Sequence, residues 1–431
     1  MTVTAESKVL SRQEWRLHWT LVMASAVGFA FSSITASSAG LFMEPIGKEF
    51  GWSRALLSSG LSIASIISFV ASPLFGVAID RFGTRRMALA GIAGTSLMIA
   101  GFSQLTGSPA QWMAMWIVYA MAGVMIKSTV WSAAVSSVFS SGRGLALGLT
   151  LSGTAVAQAI IPPITNYLID AYGWRGAWVW LGLGGGSIAM VFCALWLFDG
   201  YDVSRRNRAP GASKKGPLLD VPGLSIAEAW RSSALWRIAI SVFIMMVITI
   251  ALNVHQFEIL RSAGVTRTSA AWYSSIAGIM GVVGKLVTGW LLDRYHPRWV
   301  GGLTLALTAI AFVILLMPGL TPAMIVLAMA VNGYAAGTKL QIASFLTSAY
   351  GGMRNFGAIY GTMASLIAAG SGLGPLVAGL VYDFYGSYDA FLIFGCIGTL
   401  FSSFLIFGLG DYPKWDKPEA EAEVFGYTNL H

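Results

Sequence analysis

The fold is decided by the stretch Gly76-Val-Ala-Ile-Asp80-Arg81-Phe82-Gly83-Thr84-Arg85-Arg86, because a weaker copy, Gly289-Trp-Leu-Leu-Asp293-Arg294-Tyr295-His296-Pro297-Arg298, follows 213 positions later. Other pairs share this offset: Gly148 and Gly361, Pro162 and Pro375, Asp170 and Asp383, Tyr172 and Tyr385, and Gly173 and Gly386. One constant offset over separated regions indicates two halves of common design. In membrane proteins, such halves are related by an axis along the membrane normal and enclose a cavity at mid-depth.

Composition indicates a membrane protein. Of 431 residues, 56% are hydrophobic and only 11% are charged, whereas a soluble domain carries about 25% charged residues. The excess apolar surface must face lipid, which excludes an ordinary soluble enzyme, a disordered chain and a disulfide scaffold. The two cysteines, Cys193 and Cys396, lie in apolar runs and are interpreted as packing residues.

Apolar stretches of membrane-spanning length recur along the chain, and a bilayer core requires about 20 residues per helix. They lie near residues 18–43, 55–79, 87–105, 111–137, 144–168, 175–198, 235–259, 269–292, 299–317, 321–349, 356–381 and 388–409. We therefore predict an all-α membrane protein with twelve transmembrane helices in two pseudo-symmetric six-helix bundles. The bundles are expected at residues 1–198 and 234–431, joined by a cytoplasmic linker at 199–233.

The basic residues predict the orientation. Most of the 27 Lys and Arg residues fall in the terminal segments, the linker and the loops on the same side as these. The positive-inside rule therefore predicts cytoplasmic termini in the cell (inner) membrane. Basic loops near anionic lipids also account for the net charge of +8 without a nucleic-acid partner.

The segment at 76–86 resembles the signature loop between helices 2 and 3 of the major facilitator superfamily, and the segment at 289–298 resembles its weaker copy between helices 8 and 9. The resemblance covers about residues 18–409 and implies alternating access. It also implies that these loops form a cytoplasmic gate that clamps the halves together, with Asp80 accepting hydrogen bonds from helix ends and arginines. The implied gate residues are Gly76, Asp80, Arg81, Gly83, Arg85, Gly289, Asp293 and Arg294.

A narrower resemblance is to monocarboxylate-transporter-like members. It is carried by residues 40–54, by Phe139 with 143–148, and by 255–260 with 284–289. In that family an Arg four residues before the loop Gly binds the substrate carboxylate, and here that position is Lys285. An Asp is often found four residues earlier still, where this chain has Gly281. The chain also resembles oxalate–formate exchangers.

Charged residues inside the predicted spans point to the substrate. Lys127, Lys285 and Lys339 lie within spans, and no Asp or Glu lies at comparable depth. Buried ammonium groups usually face a cavity or a partner, so we predict an anionic substrate bound by these lysines. Tyr119 shares a helical stripe with Lys127, and Asn332 shares one with Lys339. Lys127 and Lys339 are 212 positions apart, one residue from the repeat offset, which predicts that they face each other across the axis. His255 adds a titratable donor.

Each residue also has a structural interpretation. Lys285 either binds substrate, or donates to helix carbonyls or reaches toward the membrane surface. His255 is either a ligand or a satisfied packing residue, and Glu258 is either a proton carrier or a solvated mouth residue. Either of these two residues would carry a proton if transport is proton-coupled.

The function predicted is secondary active transport of a mono- or dicarboxylate, by proton symport or by anion exchange. The alternative is a drug or small-molecule efflux antiporter of the same fold. No nucleophile–base constellation, metal-ligand spacing or phosphate-binding loop occurs, so neither an enzyme nor a cofactor is predicted. We expect a monomer whose partners are the lipid bilayer, the organic anion, and protons or a counter-anion.

Overall fold

The computed structural model describes residues 5–52, 54–200, 222–265, 267–411 and 413, and in these ranges the chain is helical. We number the spans α1 to α12. They are α1 (Ala5–Phe31 and Ile34–Phe50), α2 (Arg54–Phe82), α3 (Thr84–Gly101), α4 (Pro109–Val124 and Ser128–Val138), α5 with α6 (Arg143–Val179, Trp180–Gly184 and Gly185–Trp196), α7 (Ser233–Ser262), α8 (Arg267–Leu292), α9 (Pro297–Leu316), α10 (Pro322–Gly351), α11 (Phe356–Tyr385) and α12 (Asp389–Phe407).

Ten helices in the described ranges are long and apolar enough to cross a membrane, and a shorter apolar helix, Ile276–Leu292, forms the C-terminal part of α8. The longest stretch, Arg143–Trp196, has 54 residues. It would extend about 80 Å as a single helix, far more than the roughly 30 Å of a bilayer core. It therefore comprises two spans.

Gly173 divides that stretch, with φ +69° and ψ 168°. Only glycine adopts this backbone conformation readily, so the chain turns there and α5 ends at 172. The second half has an equivalent turn: Gly386, 213 positions later, has φ +72° and ends α11. With this division the described helices make two sets of six, as expected for two six-helix bundles.

Helix starts also repeat between the halves. Ser108 accepts a hydrogen bond from Gln111 N at the start of α4, and Thr321 accepts one from Met324 N at the start of α10. A proline follows each cap, where its missing N–H and fixed φ suit the first helical position. The same local sequence signal, 213 positions apart, therefore begins equivalent helices.

The two halves meet along two seams that are rich in glycine. In the α2–α11 seam, residues 69–80 lie against 357–365; in the α5–α8 seam, residues 144–154 lie against 285–293. A Cβ added at Gly76 would lie 2.1 Å from Gly357 O, and one added at Gly144 would lie 2.3 Å from Gly289 O. Small residues allow backbones to approach this closely in membrane helices.

The seams lie toward one side of the membrane, which we call the linker side because α6 ends and α7 begins there. Much of the predicted linker, residues 201–221, lies outside the described residues. Large apolar side chains, among them Leu74 and Phe404, are exposed around the bundles. An apolar surface of this extent is what a lipid-facing protein requires.

Candidate functional site

Asp80 and Asp293 each bind the opposite half at the linker side. Asp80 accepts hydrogen bonds from Gly357 N at 2.7 Å and Ala358 N at 2.8 Å, at the start of α11. Asp293 accepts from Gly144 N and from Leu145 N at 2.9 Å, at the start of α5. A carboxylate at a helix N-terminus pairs with otherwise unbonded amides and with the positive end of the helix dipole. All four amides and both carboxylates obey the 213-position offset.

Of the other predicted gate residues, Gly76 and Gly289 pack against the opposite half in the seams. The remaining ones make contacts within their own half. Arg85 donates to Ala194 O of α6, and the Arg81 guanidinium lies over the Phe82 ring. Gly83 has φ +85° and precedes Thr84, whose amide donates to Asp199 Oδ2 at 2.8 Å. The Arg294 guanidinium lies 3.7 Å from the Trp290 ring centroid. Of the charged residues predicted for the gate, only the two aspartates bond across the described part of the seams.

Glu14 is a functional candidate that the sequence reasoning missed. Its carboxylate is 1% exposed and accepts from Ser140 N at 2.9 Å, Ser141 N at 3.0 Å and Gly142 N at 2.8 Å. It therefore anchors the loop that leads into α5, next to the amides that Asp293 binds. No local pattern reveals it, because its partners are more than 120 residues away; the only signal is an acid among basic residues at the start of α1.

Lys285 lies at the mid-membrane end of the α5–α8 seam. Its side chain is 8% exposed, and Nζ donates to Leu151 O at 3.0 Å and approaches Thr154 Oγ1 at 3.5 Å. Two turns farther from the linker side, Gly278 has open space beside its Cα. The Lys285–Leu151 hydrogen bond is thus the last contact of the closed seam, and beyond it α8 has open space beside its backbone.

Lys127 lies at an interruption of α4. Residues 125–127 leave the helix, and Lys127 has φ −71° and ψ 176° with an exposed side chain. The next segment begins at Ser128, so its first backbone amides point toward the interruption without helical acceptors. Gly123, one turn earlier, has open space beside its Cα. A cation and a helix N-terminus therefore lie together midway along α4.

A second interruption lies beside this one. Trp131 is fully buried, donates from Nε1 to Ile126 O at 2.9 Å, and packs its ring on Gly28 of α1. One turn beyond Gly28, α1 is itself broken at Ser32 and Ser33. Because α1 and α4 are antiparallel, the two breaks are neighbours at the same depth.

Lys339 has a different environment. It is 4% exposed and lines a cavity of about 10 Å³ inside the second bundle with Ser241, Val242, Met245, Leu305, Ile342, Leu346 and Ile406. This space is about the size of one water molecule. The structure therefore does not gather the three lysines at one point: Lys285 is in a seam, Lys339 is inside a bundle, and Lys127 is exposed.

The remaining predicted residues pack within one half. Asn332 donates from Nδ2 to Asn253 Oδ1 at 3.2 Å, and Tyr119 packs on the Phe102 and Trp116 rings. Both nitrogens of His255 are bonded, Nε2 to Pro375 O at 3.0 Å and Nδ1 to Tyr388 Oη at 2.9 Å. Because a carbonyl only accepts, Nε2 carries the proton and Nδ1 accepts from the tyrosine. The side chain of Glu258 lies outside the described residues.

No carboxylate pairs with the three lysines in the part of the chain that the structure describes. The ion pairs found there join Arg175 to Glu49 at 2.7 Å, and His296 and Arg298 to Asp411. Over the same residues, no group of three His, Cys, Asp or Glu side chains is arranged to hold a metal ion. Fixed positive charge at the level of the interruptions is therefore not neutralised by the described protein groups.

Comparison with known proteins gives one consistent family. The chain matches the family model of the Major Facilitator Superfamily over residues 25–260 and 253–428. It is 25% identical over 398 residues to monocarboxylate transporter 13 of Bos taurus, covering 91% of this chain and 88% of that protein. It is also 25% identical over 299 residues to monocarboxylate transporter 12 of Homo sapiens, where the match covers 64% of this chain and 57% of the relative.

Solved structures share the architecture. The human organic anion transporter MFSD10 (TETRAN) superposes with a TM-score of 0.68 at 17% identity, over 90% of this chain and 99% of that one. The E. coli fucose:proton symporter FucP, solved as a point variant, superposes with a TM-score of 0.67 at 13% identity, over 89% and 97% of the two chains. At these identities, the likeness concerns the fold alone.

Proposed function

Because this chain belongs to the major facilitator superfamily and is a membrane transporter of the monocarboxylate-transporter-like type, we propose that it moves a small organic anion, a mono- or dicarboxylate, by alternating access. Its relatives and its fold are those of transporters and not of enzymes. The proposed substrate class rests on the chemistry of the mid-membrane residues and on the monocarboxylates named for its relatives.

The observation that carries the proposal is the position of Lys127, an exposed residue at the interruption of α4 that pairs with no carboxylate among the described residues. A charge at this depth is costly unless it meets a partner or a water-filled cavity. In transporters with broken helices, half-helix N-termini point at anionic substrate groups. Lys127 adds a full positive charge to that arrangement, and a carboxylate is the small group that would satisfy both.

Lys285 is the second proposed substrate contact. It occupies the position at which the resembling family carries its carboxylate-binding arginine. It also lies at the boundary between the closed seam and the open side of α8. An ammonium provides a single point charge where Arg provides a planar fork, so we expect weaker geometric selection among carboxylates than an arginine would give.

The closed seams are consistent with one state of an alternating-access cycle. The described hydrogen bonds between the halves run from mid-depth to the linker side, from Ser365–Phe69 and Lys285–Leu151 to the two aspartates. With the basic loops on the linker side, we assign that side to the cytoplasm. The conformation is then closed to the cytoplasm, and transport requires both seams to separate.

We propose proton symport or anion exchange as the energy source, in a monomer of the cell membrane with cytoplasmic termini. His255 is bonded through both nitrogens, so a proton-carrying role requires one of these bonds to break. The alternative, efflux of a cationic drug, would favour a buried carboxylate near the interruptions, and the described residues there supply the cation Lys127 instead. Uptake with and without a protonophore separates symport from exchange.

The test is uptake of radiolabelled pyruvate, L-lactate, oxalate and benzoate into proteoliposomes. We expect Lys127→Met to lower uptake at least about 10-fold, the effect of losing roughly one charged hydrogen bond. Lys127→Arg should retain more of the uptake. Lys48→Met, which removes an exposed lysine at the end of α1, is the matched control. Unchanged uptake in Lys127→Met, or uptake of neutral sugars but not of carboxylates, would reject the proposal.

A further inference from the structure

The two seams are pseudo-symmetric at the aspartates but differ at mid-depth. In the α5–α8 seam, Lys285 Nζ crosses to Leu151 O at 3.0 Å. The equivalent of Lys285 in α2 is Ser72, 213 positions earlier, and its hydroxyl bonds its own helix at Ser68 O. The mid-depth bond of the α2–α11 seam is instead neutral, from Ser365 Oγ to Phe69 O at 2.6 Å. Only one of the two described seams therefore closes on a cation.

The acceptor that Lys285 uses is a weak one for a buried ammonium. Leu151 O is a main-chain carbonyl within α5 and already accepts from Thr154 Oγ1 at 3.1 Å. A carbonyl offers a partial charge, whereas a carboxylate offers a full one, and hydrogen bonds between two ionised groups are stronger. A carboxylate that arrived beside Lys285 would therefore compete successfully for its protons.

The competitor would arrive from the open side. Lys285 makes the last contact of its seam, and farther from the linker side α8 has open space at Gly278. Among the described side chains, the ammonium has one neighbour besides Leu151 O, which is Thr154 Oγ1 at 3.5 Å. The ammonium can therefore leave α5 without breaking an ion pair.

We infer that Lys285 is a substrate-released latch, which bonds the α5 backbone when the site is empty and the substrate carboxylate when it is filled. This inference rests on the proposed function. Substrate binding then removes the charged hydrogen bond between Lys285 and Leu151 from the α5–α8 seam. Because a ligand shifts a conformational equilibrium by its differential interaction with the two states, the anion itself favours opening toward the linker side.

The experiment measures the separation of the halves. Arg86 and Trp299 are exposed, 213 positions apart, at the starts of α3 and α9 on the linker side. Spin labels at Arg86→Cys and Trp299→Cys, with Cys193 and Cys396 replaced by serine, report the distance by electron–electron double resonance. The variants are Lys285→Ala, Lys285→Arg and the control Ser365→Ala, which removes the neutral hydrogen bond of the α2–α11 seam. Each is measured at pH 7.5 alone and with pyruvate, L-lactate, oxalate or benzoate, after size-exclusion chromatography confirms folded protein.

Without an anion, Lys285→Ala should raise the ratio of linker-side-open to closed protein by about 10- to 100-fold, as expected for a lost charged hydrogen bond. Lys285→Arg should remain mostly closed, and Ser365→Ala should open less. A transported carboxylate should widen the distance in the parent protein and in Ser365→Ala but not in Lys285→Ala.

An unchanged distance distribution in anion-free Lys285→Ala would overturn the latch. If a carboxylate is transported but does not widen the distance in the parent protein, release by substrate is overturned while the proposed function stands. If Lys285→Ala opens the seam but no carboxylate is transported or shifts the parent protein, the proposed function and the exchange of partners fail together, and only the contact with α5 is supported.

Discussion

Closure of the α5–α8 seam should take up a proton at Asp293, because the closed seam buries this carboxyl group. Asp293 follows the apolar part of α8, Ile276–Leu292. Burial raises its pKa from 3.8 to about 7, outweighing the hydrogen bonds from Leu145 and Gly144 that lower it; nearby Glu14 also raises the pKa and Arg143 lowers it. When the seam opens, the carboxyl group is hydrated and its ordinary pKa returns.

The sign of the pH effect follows from the raised pKa. A carboxyl group whose pKa is higher in the closed state favours closure when it is protonated, and this contribution is lost as pH rises through about 7. Linkage with pKa values of 3.8 and about 7 gives a fall in the closed-to-open ratio of about 90-fold between pH 5 and pH 8, or roughly 2.6 kcal/mol. Because Asp293 is partly exposed, solvent screening lowers the expected change in the closed-to-open ratio to between about 10-fold and 90-fold.

The assay is the distance between spin labels at Arg86→Cys and Trp299→Cys, recorded from pH 5 to pH 8 without anion. We expect the linker-side-open population to grow as pH rises. Asp293→Asn removes the titrating group and keeps its size, so the pH dependence should shrink. Asp383→Ala, which removes an exposed carboxylate at the other end of α11, should leave it unchanged.

Two results would refute this reasoning. One is a closed population in the parent protein that is constant between pH 5 and pH 8. The other is an equal pH response in Asp293→Asn, which would assign the titration to another group.

Three further predictions concern the seams and the backbone. Gly144→Val should abolish uptake because a Cβ there would lie 2.3 Å from Gly289 O and keep the seam from closing. Gly410→Ala, after α12 and with open space beside its Cα, should transport normally, and equal uptake in both variants would contradict the close approach. Glu14→Gln should lower the stability of the protein by about 1–3 kcal/mol, because an NH2 donor replaces one of the two oxygens that accept from the amides of residues 140–142. An unchanged midpoint in a thermal unfolding assay would argue against it. Gly173→Ala should destabilise by about 1–3 kcal/mol at its positive φ in the same assay, and a midpoint at or above that of the parent protein would count against a strained turn.

Sequence reasoning reached the architecture because its signals are local and additive. Mean composition predicts lipid exposure, apolar length predicts the spans, and the 213-position offset predicts equivalent contacts. The break between spans near residue 173 follows from Gly173 and its equivalent Gly386, both of which have positive φ. The interruptions of α1 and α4 were not anticipated, because Ser32 and Lys127 lie within runs whose composition is that of continuous helix.

Tertiary structure alone decided what the charged side chains touch. Helical spacing predicts which residues share a face, but the rotation of each helix against its neighbours determines whether that face meets a cavity, a seam or a bundle interior. Lys339 shares the stripe of Asn332 and Ala335, and that stripe packs into the second bundle. Glu14 meets the loop before α5 from far along the chain. The energy of a buried charge depends on such non-local partners, so the amino-acid sequence by itself determined the fold and the repeat, and packing determined which lysine is exposed.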